Sequence, residues 1–107
     1  MNADVRGSEY ISFIRKLCIK LNDRAVQLLQ RKETQLAALI FEKSRVVLEV
    51  YGQPEHSRSL SLVLNHLGCC YRSVGKYKKA SLCLEKAIGL AEANKGLSLL
   101  NLCAVNS

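Results

Sequence analysis

The sequence predicts an all-α protein built from antiparallel helical hairpins, on three observations. An apolar rhythm of three to four residues recurs along most of the 107 residues, which is a helical period. Hydrophobic residues make up 49% of the chain but aromatics only 6%, so the core is built from Leu, Val, Ile and Ala, a composition that favours packed helices over a sandwich or barrel. Charged or Gly/Pro punctuation cuts the rhythm into pieces of similar length. The length leaves room for one small domain, and the apolar fraction is far above that of a disordered chain. The longest uncharged stretch, Ser59 to Tyr71, is shorter than the roughly 18 residues that span a bilayer. Met1 to Gly7 carries no apolar block and so no secretory signal, which makes a cytoplasmic or nuclear setting the expectation.

Taken in order, residues 1–7 are expected to form a flexible tail. A first helix follows on Tyr10, Phe13, Ile14, Leu17, Leu21, Ala25, Leu28 and Leu29, with no Gly or Pro between Gly7 and Gly52. The charged cluster Gln30 to Gln35 breaks it, and a second rhythm runs through Leu36, Leu39, Ile40, Val46, Val47, Val50 and Tyr51. Residues 8–52 therefore read as a first hairpin. Gly52 suits a helix C-terminus and Pro54 disfavours helix at Gln53. Ser57 or Ser59 is placed to cap a helix over 57–73, Val74 and Gly75 end it, and another helix covers 77–93. This is a second hairpin, 57–94. After Asn94, Lys95 and Gly96, a single helix is expected over 96–107. Its Leu97, Leu99, Leu100, Leu102 and Val105 have no second helix to cover them, so self-association through that face is expected.

The pieces repeat. Leu21-Asn22 with Ala25, Leu64-Asn65 with Gly68, and Leu100-Asn101 with Ala104 share one pattern, Leu-Asn, two variable residues, then a small one. The asparagines lie 43 and 36 residues apart. In the second helices Ala37, Phe41 and Ser44 match Ala80, Leu84 and Ala87, again 43 residues apart. Gly68 and Ala80 are small where two helices cross closely, Tyr71 and Leu84 fill the space beside the crossing, and Gly75 permits a tight turn.

The run Leu64, Leu67, Gly68, Tyr71, Gly75, Tyr77, Ala80, Leu84, Ala87 resembles the tetratricopeptide repeat (TPR) at most of its signature spacings. Leu64 stands where that family commonly has Trp, no Pro closes the repeat after Ala91, and the first unit has Lys32 and Thr34 where the second has Gly75 and Tyr77. The connector Gly52-Gln53-Pro54-Glu55-His56 is similar to that of the longer repeat variant of kinesin light chains and related scaffold proteins. The resemblance spans about residues 15 to 107 and is densest from 50 to 94. It implies a short right-handed superhelix, with first helices lining a concave face and second helices a convex one. It further implies a non-enzymatic protein-interaction scaffold or adaptor, in a cytoplasmic setting that includes cytoskeletal or ciliary assemblies, receiving a peptide segment in the concave groove.

Helical geometry turns Leu64, Leu67, Gly68 and Tyr71 inward and leaves Leu62, Asn65, His66, Cys69, Arg72 and Ser73 towards that groove. Asn22, Asn65 and Asn101 would form a row, one per repeat, whose amides both donate to and accept from a peptide backbone. The plainer role for each Asn is to cap or solvate a helix. From Ser57 onward seven basic residues face two acids, most of the net charge of +7, which favours an acidic partner. Arg72 is the stronger candidate contact, because Lys76, Lys78 and Lys79 sit at the hairpin turn. The alternative for a basic helical repeat is RNA binding. Against it, the Arg and Lys residues are scattered and are not interleaved with aromatics.

Other chemistry is not expected. Cys18, Cys69, Cys70, Cys83 and Cys103 are odd in number and unpaired in spacing, and read as small buried hydrophobes. His66, Cys69 and Cys70 have i, i+3, i+4 spacing that could serve zinc, but no fourth ligand is evident. A Cys/His catalytic pair would lack an orienting acid, and no phosphate-binding glycine loop is present. Neither enzymatic activity, cofactor nor metal is therefore expected.

Overall fold

The structure, a computed structural model, describes residues 3–93. These form α1 (Ala3–Gln30), α2 (Thr34–Tyr51), one 3-10 turn at Pro54–His56, α3 (Ser57–Ser73) and α4 (Tyr77–Ala93), with no strand among the described residues. No helix among them is long and apolar enough to cross a membrane. The boundaries expected for α3 and α4 coincide with those observed. At the N-terminus, α1 already starts at Ala3, inside the segment expected to be a tail. One Gly costs a helix only about 1 kcal/mol, so Gly7 does not stop it. The helix expected over 96–107, with Asn101, lies outside the described residues.

The helices pack in chain order, α1 on α2, α2 on α3 and α3 on α4. Hairpin α1–α2 and hairpin α3–α4 share one turn. Lys32 N–H donates to the Leu29 carbonyl at 2.9 Å and Glu33 N–H to that of Leu28 at 2.9 Å. Gly75 N–H donates to Arg72 at 3.1 Å and Lys76 N–H to Tyr71 at 2.8 Å, the same pair of bonds 43 residues later. This two-bond closure needs a left-handed residue, and Lys32 (φ 63°) takes the place that Gly75 (φ 84°) takes in the second hairpin. A lysine there costs about 1 kcal/mol and still closes the turn.

The buried positions repeat as well. Ala37, Ser44 and Leu48 on α2 are buried, as are Ala80, Ala87 and Ala91 on α4, each 43 residues on. Cys18, Ala25 and Leu28 on α1 correspond in the same way to Ser61, Gly68 and Tyr71 on α3. Leu64 and Leu67 complete the inward face of α3, and Phe41 is among the largest side chains that are fully buried. Truncating Phe41 to Ala would cost about 3–5 kcal/mol. At the α3–α4 crossing a Cβ on Gly68 would lie 2.5 Å from Leu84 Cγ and 3.3 Å from the Ala80 carbonyl oxygen, which is the close approach expected there. Tyr77 departs from its expected packing role. As the first residue of α4 it faces outward and is 68% exposed.

The connector ties the hairpins together. Gly52 N–H closes α2 on the Leu48 carbonyl at 3.1 Å, and a Cβ at Gly52 would sit 2.2 Å from that oxygen, so the position needs glycine. His56, buried, accepts from the Gln53 N–H at Nδ1 (2.8 Å), which leaves Nε2 to donate to the Ile11 carbonyl of α1 (3.0 Å). Tyr10 Oη donates to the Tyr51 carbonyl at 2.6 Å nearby. The 3-10 turn runs directly into α3, and no side chain at its N-cap, His56, caps it.

Candidate functional site

The residues expected to face a groove divide into two sets. Leu62, Arg72 and Ser73 are exposed and His66 and Cys69 are half-buried, so the stripe 62, 66, 69, 73 forms one outward face of α3. Asn65 does not belong to it. It is 0% exposed, and neither its Nδ2 nor its Oδ1 has a hydrogen-bond partner. Asn22 is half-buried and turned to α2, where Ser44 Oγ donates to its Oδ1 at 3.5 Å. The expected row of groove asparagines therefore fails at both described positions. The reason is helical phase, since each Asn lies three residues before the small crossing residue, Ala25 or Gly68, and hence on the same side of the helix as the crossing.

The outward stripe has a counterpart on α1 that the sequence reading missed. Stepping back 43 residues from Leu62, His66, Cys69 and Ser73 reaches Ile19, Asp23, Val26 and Gln30, all exposed. The signal was in the repeat itself, once the period was applied to exposed positions as well as buried ones. Near the hairpin turns an open cleft of about 310 Å³ is lined by Leu29, Thr34, His66, Cys69, Cys70 and Ser73. Its walls come from the end of α1, the start of α2 and α3.

His66 is fixed within this face. Its ring lies 5.2 Å from that of Phe41, tilted by 53°, and its Nδ1 is 2.9 Å from the Leu62 carbonyl, which requires Nδ1 to carry the proton. Burial lowers its pKa below the ordinary 6.5, so the ring is neutral at pH 7 and offers Nε2 as an acceptor. Burial raises the thiols of Cys69 and Cys70, that of Cys70 to about 11, with Cys69 nearby adding to the rise. Protonated thiols of this kind are weak nucleophiles at neutral pH. No group of three His, Cys, Asp or Glu side chains among the described residues is placed to hold a metal ion.

On the opposite side of α3, a polar chain links three helices. Tyr71 Oη donates to Glu42 Oε2, Arg45 Nε to Glu42 Oε1 at 2.7 Å, Arg45 Nη1 to Glu49 Oε1 at 2.5 Å, and Lys86 Nζ to Glu49 Oε2 at 2.6 Å. Lys79 Nζ sits 5.5 Å from the centre of the Tyr71 ring. Burial pushes the Glu42 carboxyl up, but the hydrogen bonds from Tyr71 and Arg45 and the charges of Arg45 and Lys79 outweigh it and hold it below its ordinary value. Tyr71 is raised, by burial first and then by Glu42. An open recess of about 250 Å³ borders these side chains, and with their donors and acceptors matched to one another this chain of contacts braces the hairpins. No family model matches the chain, and no curated protein or solved structure matches it either.

Proposed function

We propose that the two hairpins are TPR-like units of the kinesin-light-chain-like type, and that the protein is a non-enzymatic interaction scaffold. Its binding face is the pair of stripes on α1 and α3, which takes an extended peptide segment of a partner protein. The observation that carries this reading is the recurrence after 43 residues of one hairpin, with the same turn bonds and the same buried positions. A repeated hairpin places equivalent side chains at regular intervals along one face, and an extended peptide has the matching linear periodicity. His66, Cys69, Arg72 and Ser73 on α3, with Asp23 and Val26 on α1, supply mixed polar and apolar contacts there. Asn65 is buried and has no part in it.

The test is selection of peptides from a random display library on the purified protein, followed by His66→Ala with Arg72→Ala. Enriched peptides are expected to lose about tenfold or more in affinity for the double variant, with helical circular dichroism unchanged. A library that yields no enriched peptide, or peptides held equally well by the double variant, contradicts the assignment.

A further inference from the structure

A second surface lies at the same turn end of the molecule, on the side of α3 that faces α2 and α4 and not on the α1–α3 stripes. The short connector makes α2 and α3 antiparallel, so the turns at 31–33 and 74–76 come to the same end. There an open cleft of about 270 Å³ runs between the starts of α2 and α4, with Ala38, Leu39, Tyr71 and Val74 as its apolar lining and Lys76 and Lys79 on its rim. Leu39 is 59% exposed and adds an accessible aliphatic surface to the lining. Arg31, Lys32 and Lys78 are exposed at the same end, and none of these three, nor Lys76, forms an ion pair among the described residues. Of the acids at this end, Glu42 lines the cleft and is engaged by Tyr71 and Arg45, and Glu33 is exposed in the α1–α2 turn, so five basic residues stand against two acids. The local field is therefore positive around an apolar depression.

We propose that this cleft docks an acidic segment of a partner protein, with one bulky aliphatic side chain of the partner against Leu39 and Val74 and flanking carboxylates on Lys76 and Lys79. Charge complementarity selects the occupant. A second copy of these 107 residues is a poor one, because no two acids in the sequence lie within four residues of each other. Nucleic acid and anionic membrane would use the lysines but leave the recessed aliphatic surface unused, and the ring in the lining, Tyr71, is buried with Lys79 over it, which leaves no open face for a base to stack on. This docking is independent of the α1–α3 face, so either assignment can fail alone.

The test uses a fluorescein-labelled, capped Gly-Ser peptide with one central leucine flanked on each side by two glutamates, read by anisotropy near physiological ionic strength. The purified chain is expected to bind it, and Lys76→Gln with Lys79→Gln is expected to weaken binding about tenfold. Leu39→Ser, at an exposed position that leaves the core intact, is expected to weaken it by a similar factor, as is replacing the leucine of the peptide by serine. Lys76→Arg with Lys79→Arg should retain binding, and His66→Ala with Arg72→Ala should leave it unchanged. Absence of binding, indifference to the Gln pair or to Leu39→Ser, or tighter lysine-dependent binding of a single-stranded RNA or a phosphatidylserine vesicle would each overturn the proposal.

Discussion

Asn22 and Asn65 occupy the same place in two hairpins and end in different hydrogen-bonding states. Asn22 is met by the Ser44 hydroxyl, whereas the residue equivalent to Ser44 in the second hairpin is Ala87, which has none to offer. Ser61, one turn before Asn65 on α3, donates to the Ala87 carbonyl at 3.0 Å, so α3 meets α4 at this level. A buried amide without partners costs about 1–3 kcal/mol. Ala87→Ser is therefore expected to stabilise the protein by about 1 kcal/mol after the lower helix propensity of Ser is counted, seen as a higher urea midpoint. Asn65→Leu should also stabilise, and Ser44→Ala should destabilise by about 1 kcal/mol. Ala87→Ser lowering the midpoint would show that Asn65 is not short of a partner. The sequence showed the Asn recurrence but not its direction: with Leu64, Leu67, Gly68 and Tyr71 turned inward Asn65 was left to the groove, whereas its three-residue offset from Gly68 puts it on the crossing side. Lys32 was opaque for a related reason: a turn that needs a left-handed residue announces itself with Gly75 and hides behind a lysine.

Between elements, the bracing runs through Glu42, which α3 engages with Tyr71 and α2 with Arg45. Its folded pKa lies below its ordinary value near 4.5. The stabilisation is then fully present above the unfolded pKa and is lost as pH falls through the lower, folded one. Wild-type stability is expected to drop on acidification below about pH 4.5, and Glu42→Gln is expected to be less stable at pH 7 and to show a shallower acid limb in thermal melts. An acid limb identical in the two proteins would remove Glu42 from the bracing. None of this was legible beforehand, since Glu42, Tyr71 and Lys86 are separated by 29 and 37 residues from their partners across the network. Periodicity assigns a residue to a face but does not say which long side chains meet across faces. Helix boundaries were legible, because Gly52, Pro54 and Gly75 mark them through backbone geometry alone.

For the molecule as a whole, two copies of one hairpin stack through α2 and α3, and the buried connector residue His56 ties the second back to α1. The period of 43 residues was readable from small and large core positions, and it explains why the inward face of α3 was identified correctly, whereas Leu36, Leu39, Val46, Val50 and Tyr51 of the α2 rhythm are exposed, as is Tyr77. Core positions are fixed by packing, but the first residue of a helix is free to face outward. The same period carries the outward stripes of α1 and α3, and with them the proposed function. The most direct test is an amide-resolved NMR titration of the labelled protein with a selected, uncharged extended peptide. Shift changes are expected at paired positions of the two stripes, Ile19 with Leu62, Asp23 with His66 and Val26 with Cys69. Changes confined to α2 and α4, or spread without regard to the 43-residue pairing, would contradict the assignment of that face.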